Sequence, residues 1–578
     1  MARSLTPQLA VDISARRLRA IDGLDARPAA ISWFGPAGFP SDHPGSEASV
    51  QALSGLMEVH GRDRRTPRRL GLEVASVAAG LLAAQGAIAG AIAGARGRPV
   101  PDAETSVLQA GLLLLSHYFV VATGLGDAVP GPPLPAPGPP FQSADGQWFE
   151  IETLDADPWK DFWTRLGAGD ADLGRAWTLF RWRYERAECS LPGELHATTR
   201  RYPLAELHTH AGAAGVSLTP LRSYPDVLVE PGIGPAHPVI DAGAGGAPSA
   251  PPVAGDLPLA GITMVEATSR IQGPFAGMLL RMLGADIVRV QPPEGDYGRA
   301  ALCLHREKDA VRLDLSSAAG RAELSDRVAD ADVFLHNWRP GKAAEWDLEF
   351  DDLLPRRPGL VYAHTSGWGD RPEGRRLVGT DFLVQAYAGI GQGMHPEGEP
   401  AFPSRMIVCD LFGGLVAAEG VLAGLLRRER TGQACEVRSS LLAGAMAVQA
   451  HVLEAMAEGK EDGRRNGRPV WGVLDRPVAT AEGLLMVSVE DDESFGYLCS
   501  LCDVDPAGAS RAATEALVAA RLAEGTAAAW EGHLNRAGIP ASAVGDDLAD
   551  MPFDPRLSSL FEPVGIGGLA PRSPWTFT

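Results

Sequence analysis

Basic residues are in deficit along this 578-residue chain, where 52 Lys and Arg face 72 Asp and Glu for a formal net charge of −20. That balance repels phosphate backbones and anionic lipid, so no nucleic-acid or membrane partner is expected. Cysteine is scarce as well, with thiols at Cys189, Cys303, Cys409, Cys435, Cys499 and Cys502. Scattered over such a length they build no disulfide framework, and reduced thiols in the cytoplasm are expected. Cys499 and Cys502 form a CxxC without a second ligand pair, and YLCSLCDV reads as an apolar helix face. His208 and His210, in LHTHAG, have no third ligand either and are expected on a surface turn. No metal is therefore implied. The N-terminal MARSLTPQLAVDISARRL lacks a basic-then-apolar leader pattern, its first hydrophobic run being broken by Asp12, Arg16 and Arg17. One stretch, Val74–Ala95, is long and free of charge, but it is mostly Ala and Gly with Gln85 inside, which predicts a buried packing helix.

Nucleotide fingerprints are missing too. The loop between the first strand and helix of the second half reads EATSRIQGP, not G-x-G-x-x-G, and no GxxxxGK[ST] occurs. Neither NAD, flavin nor a nucleoside triphosphate is expected as cofactor. Gly389, Gly391 and Gly393 (GIGQG) lie outside any strand-to-helix turn and read as a flexible loop.

What is present is an ordinary globular composition, 45% hydrophobic and 21% charged, sufficient for two to four domains with their own cores. Residues 241–258 are rich in Gly, Ala and Pro and read as an interdomain linker; residues 130–140 (PGPPLPAPGPP) read as a stiff spacer. Beyond the linker, strands are predicted at 261–266, 285–290, 310–315, 332–336 and 359–365, with helices at 274–283 and 317–329. This βαβ succession implies a parallel sheet covered by helices. Ligands of such sheets lie past the carboxyl ends of the strands, which nominates the loops 267–273, 291–299, 337–341 and 366–370. From Asp410 the pattern turns helical, with Leu411, Leu415, Ala418, Leu422 and Leu425 on one face and Arg427, Arg428 and Arg430 at its end. A smaller α+β module is expected beyond about residue 475.

The first half carries an internal repeat. A shift of 334 superimposes Gln51–His117 on Gln385–His451 without a gap and makes 15 of 67 positions identical, among them Gln51 with Gln385, Gly55 with Gly389, and Gly80, Gly86 and Gly90 with Gly414, Gly420 and Gly424. Abundant Ala and Gly inflate the matches, yet their order is kept. Further on, Ala144-Asp145-Gly146 resembles Ala481-Glu482-Gly483, and Ala214-Gly215-Val216 resembles Ala537-Gly538-Ile539. Residues 1–240 are thus expected to form a partial copy, without the sheet, of a complete unit at 259–578. That unit divides into a large α/β domain at 259–460 and a small α+β module at 461–578.

Several separated motifs carry a resemblance: VEATSRIQGPFAGMLLRMLGADIVRVQPPEGD, RLDLSSAAGRAEL, ADVFLHNWRPG, LVYAHTSGWG, GTDFLVQAYAG and CDLFGGLVAAEGVLAGLLRRERTGQ. Together, over about residues 258–575 and more weakly over 46–235, they resemble the family III CoA-transferases, the group of formyl-CoA and carnitine CoA-transferases and α-methylacyl-CoA racemases. The resemblance implies a Rossmann-like α/β domain with smaller α+β modules. It also implies transfer of coenzyme A from an acyl-CoA to a carboxylic acid.

The family's nucleophilic aspartate matches Asp410, which would attack the thioester and carry the acyl group and then CoA. By residue type alone, Asp410 is equally a helix N-cap. By position, the CoA contacts match Ser269, Arg270, Ile271, Gln272, Leu313, Leu315, Asn337 and Trp338, with Lys342 as a phosphate partner. Gly413 and Gly414 are expected to be flexible beside the helix N-terminus and to open its N–H groups to oxyanions. The chain departs from the family at Glu345, where members carry Arg, and its tail is shorter, ending at Thr578. A racemase would need histidine thirty residues before Asp410; Thr380 stands there, followed by Asp381. The repeat places Ser76 opposite Asp410, which predicts a silent first copy. Family members form interlocked dimers, so an intrachain pseudo-dimer is expected, with further homodimerisation compatible with it. Two other readings stay open: epimerisation or another α-carbon reaction assisted by Asp381, and a non-catalytic acyl-CoA-binding or scaffold protein. Loop 394–406 is expected to set the choice of donor and acceptor acids.

Overall fold

The computed structural model describes residues 6–21, 28–124, 136–169, 173–230, 238–242, 255–293, 300–375, 377–460, 463–565 and 567–578. Most of the expected linker at 241–258, half of the spacer at 130–140 and most of the loop 291–299 lie outside them.

Short apolar runs such as Val333–His336, buried at every position, form strands that need cover on both faces. They assemble a seven-stranded sheet in the order Asp309–Arg312, Asp286–Gln291, Thr263–Ala267, Val333–His336, Val361–Ser366, Cys435–Ser440, Val239–Ala242. The first six are parallel and only the last is antiparallel. Helices Gln272–Met282, Ala318–Ala329 and Val408–Thr431 connect them. The predicted βαβ succession is therefore present, each strand within a few residues of its expected place.

Two helices, Val74–Ala95 and Val408–Thr431, are long and apolar enough to cross a membrane, yet 89% and 100% of their apolar windows are buried inside the protein. Val74–Ala95 is the packing helix its composition predicts. The two pack on each other at the centre of the largest hydrophobic core, where Gln85 Nε2 donates to the Leu415 carbonyl at 2.9 Å.

The 334-residue repeat is visible element by element. Helices Glu47–Leu53 and Leu56–Gly61 correspond to Asp381–Tyr387 and Ile390–Met394, and strand Ala103–Ser106 to the end of Cys435–Ser440. Gly55 and Gly389 are both left-handed, at φ +86° and +68°, and open the second helix of each pair; this explains why glycine recurs. Gly86 and Gly420 face equivalent neighbours: a Cβ would come 3.0 Å from Ala103 and Trp575 in one copy, and 2.7–2.8 Å from Val437 and Pro238 in the other.

The expectation that the partial copy lacks a sheet needs correction. Strands Ala30–Ser32 and Ala103–Ser106 pair in parallel, with Ala30 opposite Glu104 and Ser32 opposite Ser106. At the 334 shift this is the register of His364 with Arg438 and Ser366 with Ser440. Two strands of the sheet persist because their ends support the helices that follow them. Helix Gln8–Arg19 packs on Val74–Ala95 as Gln272–Met282 packs on Val408–Thr431: a Cβ on Gly80 would lie 2.7 Å from the Ala10 carbonyl, one on Gly414 2.9 Å from the Gln272 carbonyl. Only residues 20–29 lie between the end of that first helix and Ala30–Ser32, too few to hold the strands and loops that occupy 283–360 in the complete copy.

The two copies are interlocked. Each has a small antiparallel module, Phe141–Gln142, Trp148–Glu152, Ser217–Pro220 in the first and Val478–Ala479, Leu484–Val487, Ala541–Ala543 in the second. Each module docks on the opposite copy: Arg222 N–H donates to the Ala386 carbonyl at 3.0 Å, and Gly545 N–H to the Ala52 carbonyl at 3.3 Å. The chain then returns to the opposite sheet. Val239–Ala242 adds beside Cys435–Ser440, and Thr576–Phe577 beside Ala103–Ser106, with Ile240 opposite Val437 and Phe577 opposite Ala103.

Two smaller expectations also change. His208 and His210 lie in helix Leu204–Ala214 rather than on a turn, because the apolar spacing of Leu207, Ala211 and Ala214 continues through them. Gly391 and Gly393 are not a flexible loop: added Cβ atoms would lie 2.2 Å from the Ala401 carbonyl and 2.3 Å from Tyr224 Oη, so close packing explains the glycines. Cys499 and Cys502 are buried in the small-module core, as the apolar helix face predicts. Among the described residues no group of His, Cys, Asp and Glu forms a metal cluster.

Candidate active site

Asp410 lies in the first turn of Val408–Thr431, three residues inside the helix. It is not the cap. Ile407 occupies that position without a side-chain bond, and the free backbone N–H of Asp410 is met by Asp381 Oδ2 at 2.7 Å. Asp381 caps the helix that carries Asp410 from outside, from the first turn of Asp381–Tyr387. Its other oxygen accepts from Gln385 Nε2, and Gln385 in turn braces the incoming chain, taking Ser404 N–H at 2.9 Å and donating to the Met406 carbonyl at 2.8 Å.

The Asp410 carboxyl is 8% exposed, and its remaining surface lines an open cleft of about 350 Å³. One wall is the loop after strand Thr263–Ala267, with Ser269, Arg270 and Gln272; another is Asn337, Trp338, Arg339 and Pro340. The third is the glycine-rich turn at Gly367, Trp368 and Gly369, with Leu377, Val378 and Thr380 beyond it. Leu154 closes the cleft from the small module of the partial copy. Three of the four nominated loops thus meet here; the described part of the fourth, 291–293, does not line the cleft.

Arg270 is held in a left-handed conformation, φ +67°, unusual for a residue with a Cβ. Asn337 fixes that loop by a two-way clamp on Ser269, accepting its N–H at 3.0 Å and donating to its carbonyl at 2.8 Å. The clamp keeps the Arg270 guanidinium near the Asp410 carboxylate.

Burial pushes the Asp410 carboxyl up to about 7; the Arg270 charge and a hydrogen bond from the Gln272 backbone N–H oppose this, and the negative charge of Glu152 adds to it. Burial, and then repulsion from Asp410, lifts Asp381 well above the ordinary range, against hydrogen bonds from Gln385 and from the backbone of Asp410 and Cys409. The pair resists carrying two negative charges at once. Gln272 Nε2, Thr365 Oγ1 and Thr380 Oγ1 are buried along the cleft without a partner, so polar groups there await a ligand.

The sequence-derived residues divide clearly. Ser269, Arg270, Gln272, Asn337, Trp338, Thr380 and Asp410 line the cleft. Asp381 stands behind the wall as a capping group, so direct assistance at an α-carbon is not what it is placed for. Ile271, Leu313 and Leu315 pack into hydrophobic cores, and Lys342 is held at the surface by Glu345 at 2.7 Å and the Trp346 ring at 4.5 Å. Gly413 and Gly414 are neither loop nor flexible: added Cβ atoms would lie 2.8 Å from Gln272 Nε2 and 2.7 Å from Phe275, so they are the contact surface between two helices. Sequence reasoning missed Arg339, Trp368 and Leu154. The first two fall in nominated loops, whereas Leu154 belongs to the partial copy and carries no motif.

The partial copy repeats the frame with serine in place of the aspartate. Gln51 accepts Leu70 N–H at 2.9 Å and donates to the Leu72 carbonyl at 3.1 Å, and Glu47 takes Ser76 N–H at 2.8 Å. Ser76 is 2% exposed, and among the described residues the partial copy has no counterpart of the wall formed by 337–340.

A chain with a parallel α/β domain, an interlocked partner unit and a buried aspartate at a helix start belongs to a defined class: it is a member of CoA-transferase family III, whose family model matches residues 28–248 and again residues 259–557. The succinyl-CoA:glutarate CoA-transferase of Mus musculus is 27% identical over 262 residues, 43% of this chain and 60% of its own length. This chain therefore spans about 60% of that relative. A probable fatty acyl-CoA transferase of Mycobacterium tuberculosis is 35% identical over 271 residues, 42% of this chain and 68% of its own. The orthorhombic crystal structure of the latter protein superposes with a TM-score of 0.46 at 26% identity, covering 55% of this chain and 92% of that one.

Proposed function

We propose that the chain transfers coenzyme A from an acyl-CoA to a carboxylic acid, with Asp410 as covalent carrier. The observation that carries this reading is the placement of the Asp410 carboxyl on the wall of an open cleft, beside Arg270 and unpartnered Gln272 Nε2.

An ionised Asp410 oxygen attacks the thioester carbonyl carbon, the C–S bond breaks, and CoA leaves as thiolate from a mixed anhydride. The thiolate attacks the aspartyl carbonyl and expels the donor carboxylate, leaving an aspartyl thioester. The acceptor carboxylate displaces the thiolate to form a second anhydride, which the thiolate cleaves at the acceptor's carbonyl, restoring Asp410. One thioester replaces another, so no external energy source enters. Arg270 and Gln272 Nε2 are the donors for charge that develops on the carbonyl oxygens. Trp338 and Arg339 suit the ring and phosphate of the nucleotide end.

The Ser76 site has no carboxylate nucleophile and, among the described residues, no counterpart of Arg270 or Asn337, so we infer one working site per chain, with the partial copy serving as the fused partner. Thr380 has no basic nitrogen and two-base racemisation is not favoured. The test is a mass-spectrometric screen of acyl-CoA donors against acceptor acids, run beside Asp410→Ala. Transfer abolished by the substitution supports the proposal; transfer that survives it refutes it.

A further inference from the structure

Behind the cleft lies a buried ionic cluster that the transfer scheme does not use. Arg183, on helix Leu173–Arg186 of the partial copy, is fully buried with its guanidinium 2.9 Å from Glu152 Oε2 and 3.6 Å from Glu150 Oε2. Tyr184 donates its hydroxyl to the same Glu152 oxygen. Both side chains grip Phe382, Arg183 at 4.3 Å over the ring and Tyr184 edge-on at 5.0 Å. Phe382 follows Asp381, the residue that holds the Asp410 backbone. Leu154, two residues past Glu152, lines the cleft with Thr380 and Asp410.

The opposite copy shows what this place needs structurally. There the equivalent of Glu152 is Ser488, and its Oγ meets Ser46 Oγ at 2.7 Å; Ser46 is the counterpart of Thr380. Two hydroxyls suffice for docking the module. Only in the complete site is a carboxylate buried instead, together with an arginine to balance it, although a buried charge is costly without such partners. We propose that Glu152, fixed by Arg183 and Tyr184, is a positioning residue for the Asp410 carboxylate, contributed to the complete site by the partial copy.

This inference rests on Asp410 being the carrier. Facing Asp410 are Arg270 and the Gln272 N–H from one loop, Asp381 and Cys409 from the helix starts, Tyr118, Tyr184 and Glu152. Facing Glu152 are Arg183, Tyr184, Glu150 and Cys189. Glu152 is thus the negative charge that the partial copy brings to the carrier.

The test is the titration of full-length protein labelled with carboxyl-13C aspartate, with Asp410→Asn assigning the signal, and needs no turnover. Removing the Glu152 charge in Glu152→Gln is expected to lower the Asp410 midpoint by about one pH unit, and Glu152→Asp to restore most of it. Should Glu152→Gln not fold, Tyr184→Phe serves: without that donor the Glu152 carboxylate is no longer held in place behind the cleft, and the Asp410 midpoint is expected to fall in the same direction. An unchanged midpoint in a folded variant overturns the proposal. A parent protein that shows the expected shift yet transfers no CoA counts against the transferase reading alone.

Discussion

Asp381 accepts the backbone N–H of Asp410 at 2.7 Å, and with that one bond a buried carboxylate caps the helix that presents the cleft's own carboxylate. The bond recurs at 2.8 Å between Glu47 and Ser76 in the copy that has serine in place of the aspartate. The frame is therefore a property of the fold, and the chemistry is added to it.

Removing the cap separates these roles. Asp381→Ala and Glu47→Ala each strip a helix N-terminus of its acceptor and are expected to cost about 1–2 kcal/mol of stability. Turnover is expected to fall only in Asp381→Ala, because only there does the capped helix carry the proposed carrier. Denaturant melts paired with transfer assays check this.

The raised Asp410 group predicts a pH dependence with a definite sign. Its folded value, about 7, lies above the ordinary 3.8, so the stability it contributes is present below about pH 4 and is lost as pH climbs through 7. Asp410→Asn cannot ionise; it is expected to gain on the order of 1–3 kcal/mol over the parent above pH 7 and little near pH 4. Turnover in the parent should rise with pH through the same range, since the attacking form is the carboxylate. Thermal melts at the two pH values and a kcat/KM profile read both.

Ser76 offers a control. Ser76→Ala is expected to leave transfer unchanged. Ser76→Asp should create no second site, because among its described residues the partial copy has no counterpart of Arg270 or Asn337. Counting CoA bound per chain by calorimetry should return one in both variants.

Close packing beneath the site is equally testable. A Cβ on Gly444 would come 2.2 Å from the Gly413 backbone nitrogen, with no flexible atom to give way. Gly444→Ala is expected to destabilise the protein by about 2–3 kcal/mol and to displace the start of the nucleophile's helix, lowering kcat more than it changes KM.

Much of this was legible in the residues. The parallel sheet follows from short apolar runs alternating with amphipathic stretches, and three cleft walls follow from the rule that loops at strand ends bind ligands. Asp410 was legible only through the surrounding motif, since an aspartate at a helix start is by itself as good a cap as a nucleophile. The repeat was visible because Gly55, Gly86 and their partners keep positions that no other residue fits. Gly413, Gly414, Gly391 and Gly393 misled because tight packing and flexibility select the same residue type. Glu152 and Leu154 left no signal: Leu154 reaches the cleft, and Glu152 the cluster behind it, across some 250 residues of chain, through the crossing of modules that only the tertiary structure reveals.

The most direct measurement traps the carrier. Protein incubated with an acyl-CoA and quenched with hydroxylamine or borohydride, then digested and sequenced by mass spectrometry, should carry a hydroxamate or a reduced side chain at Asp410 and at no other acid. Turnover that leaves Asp410 unmodified under conditions where acyl exchange proceeds would contradict the account.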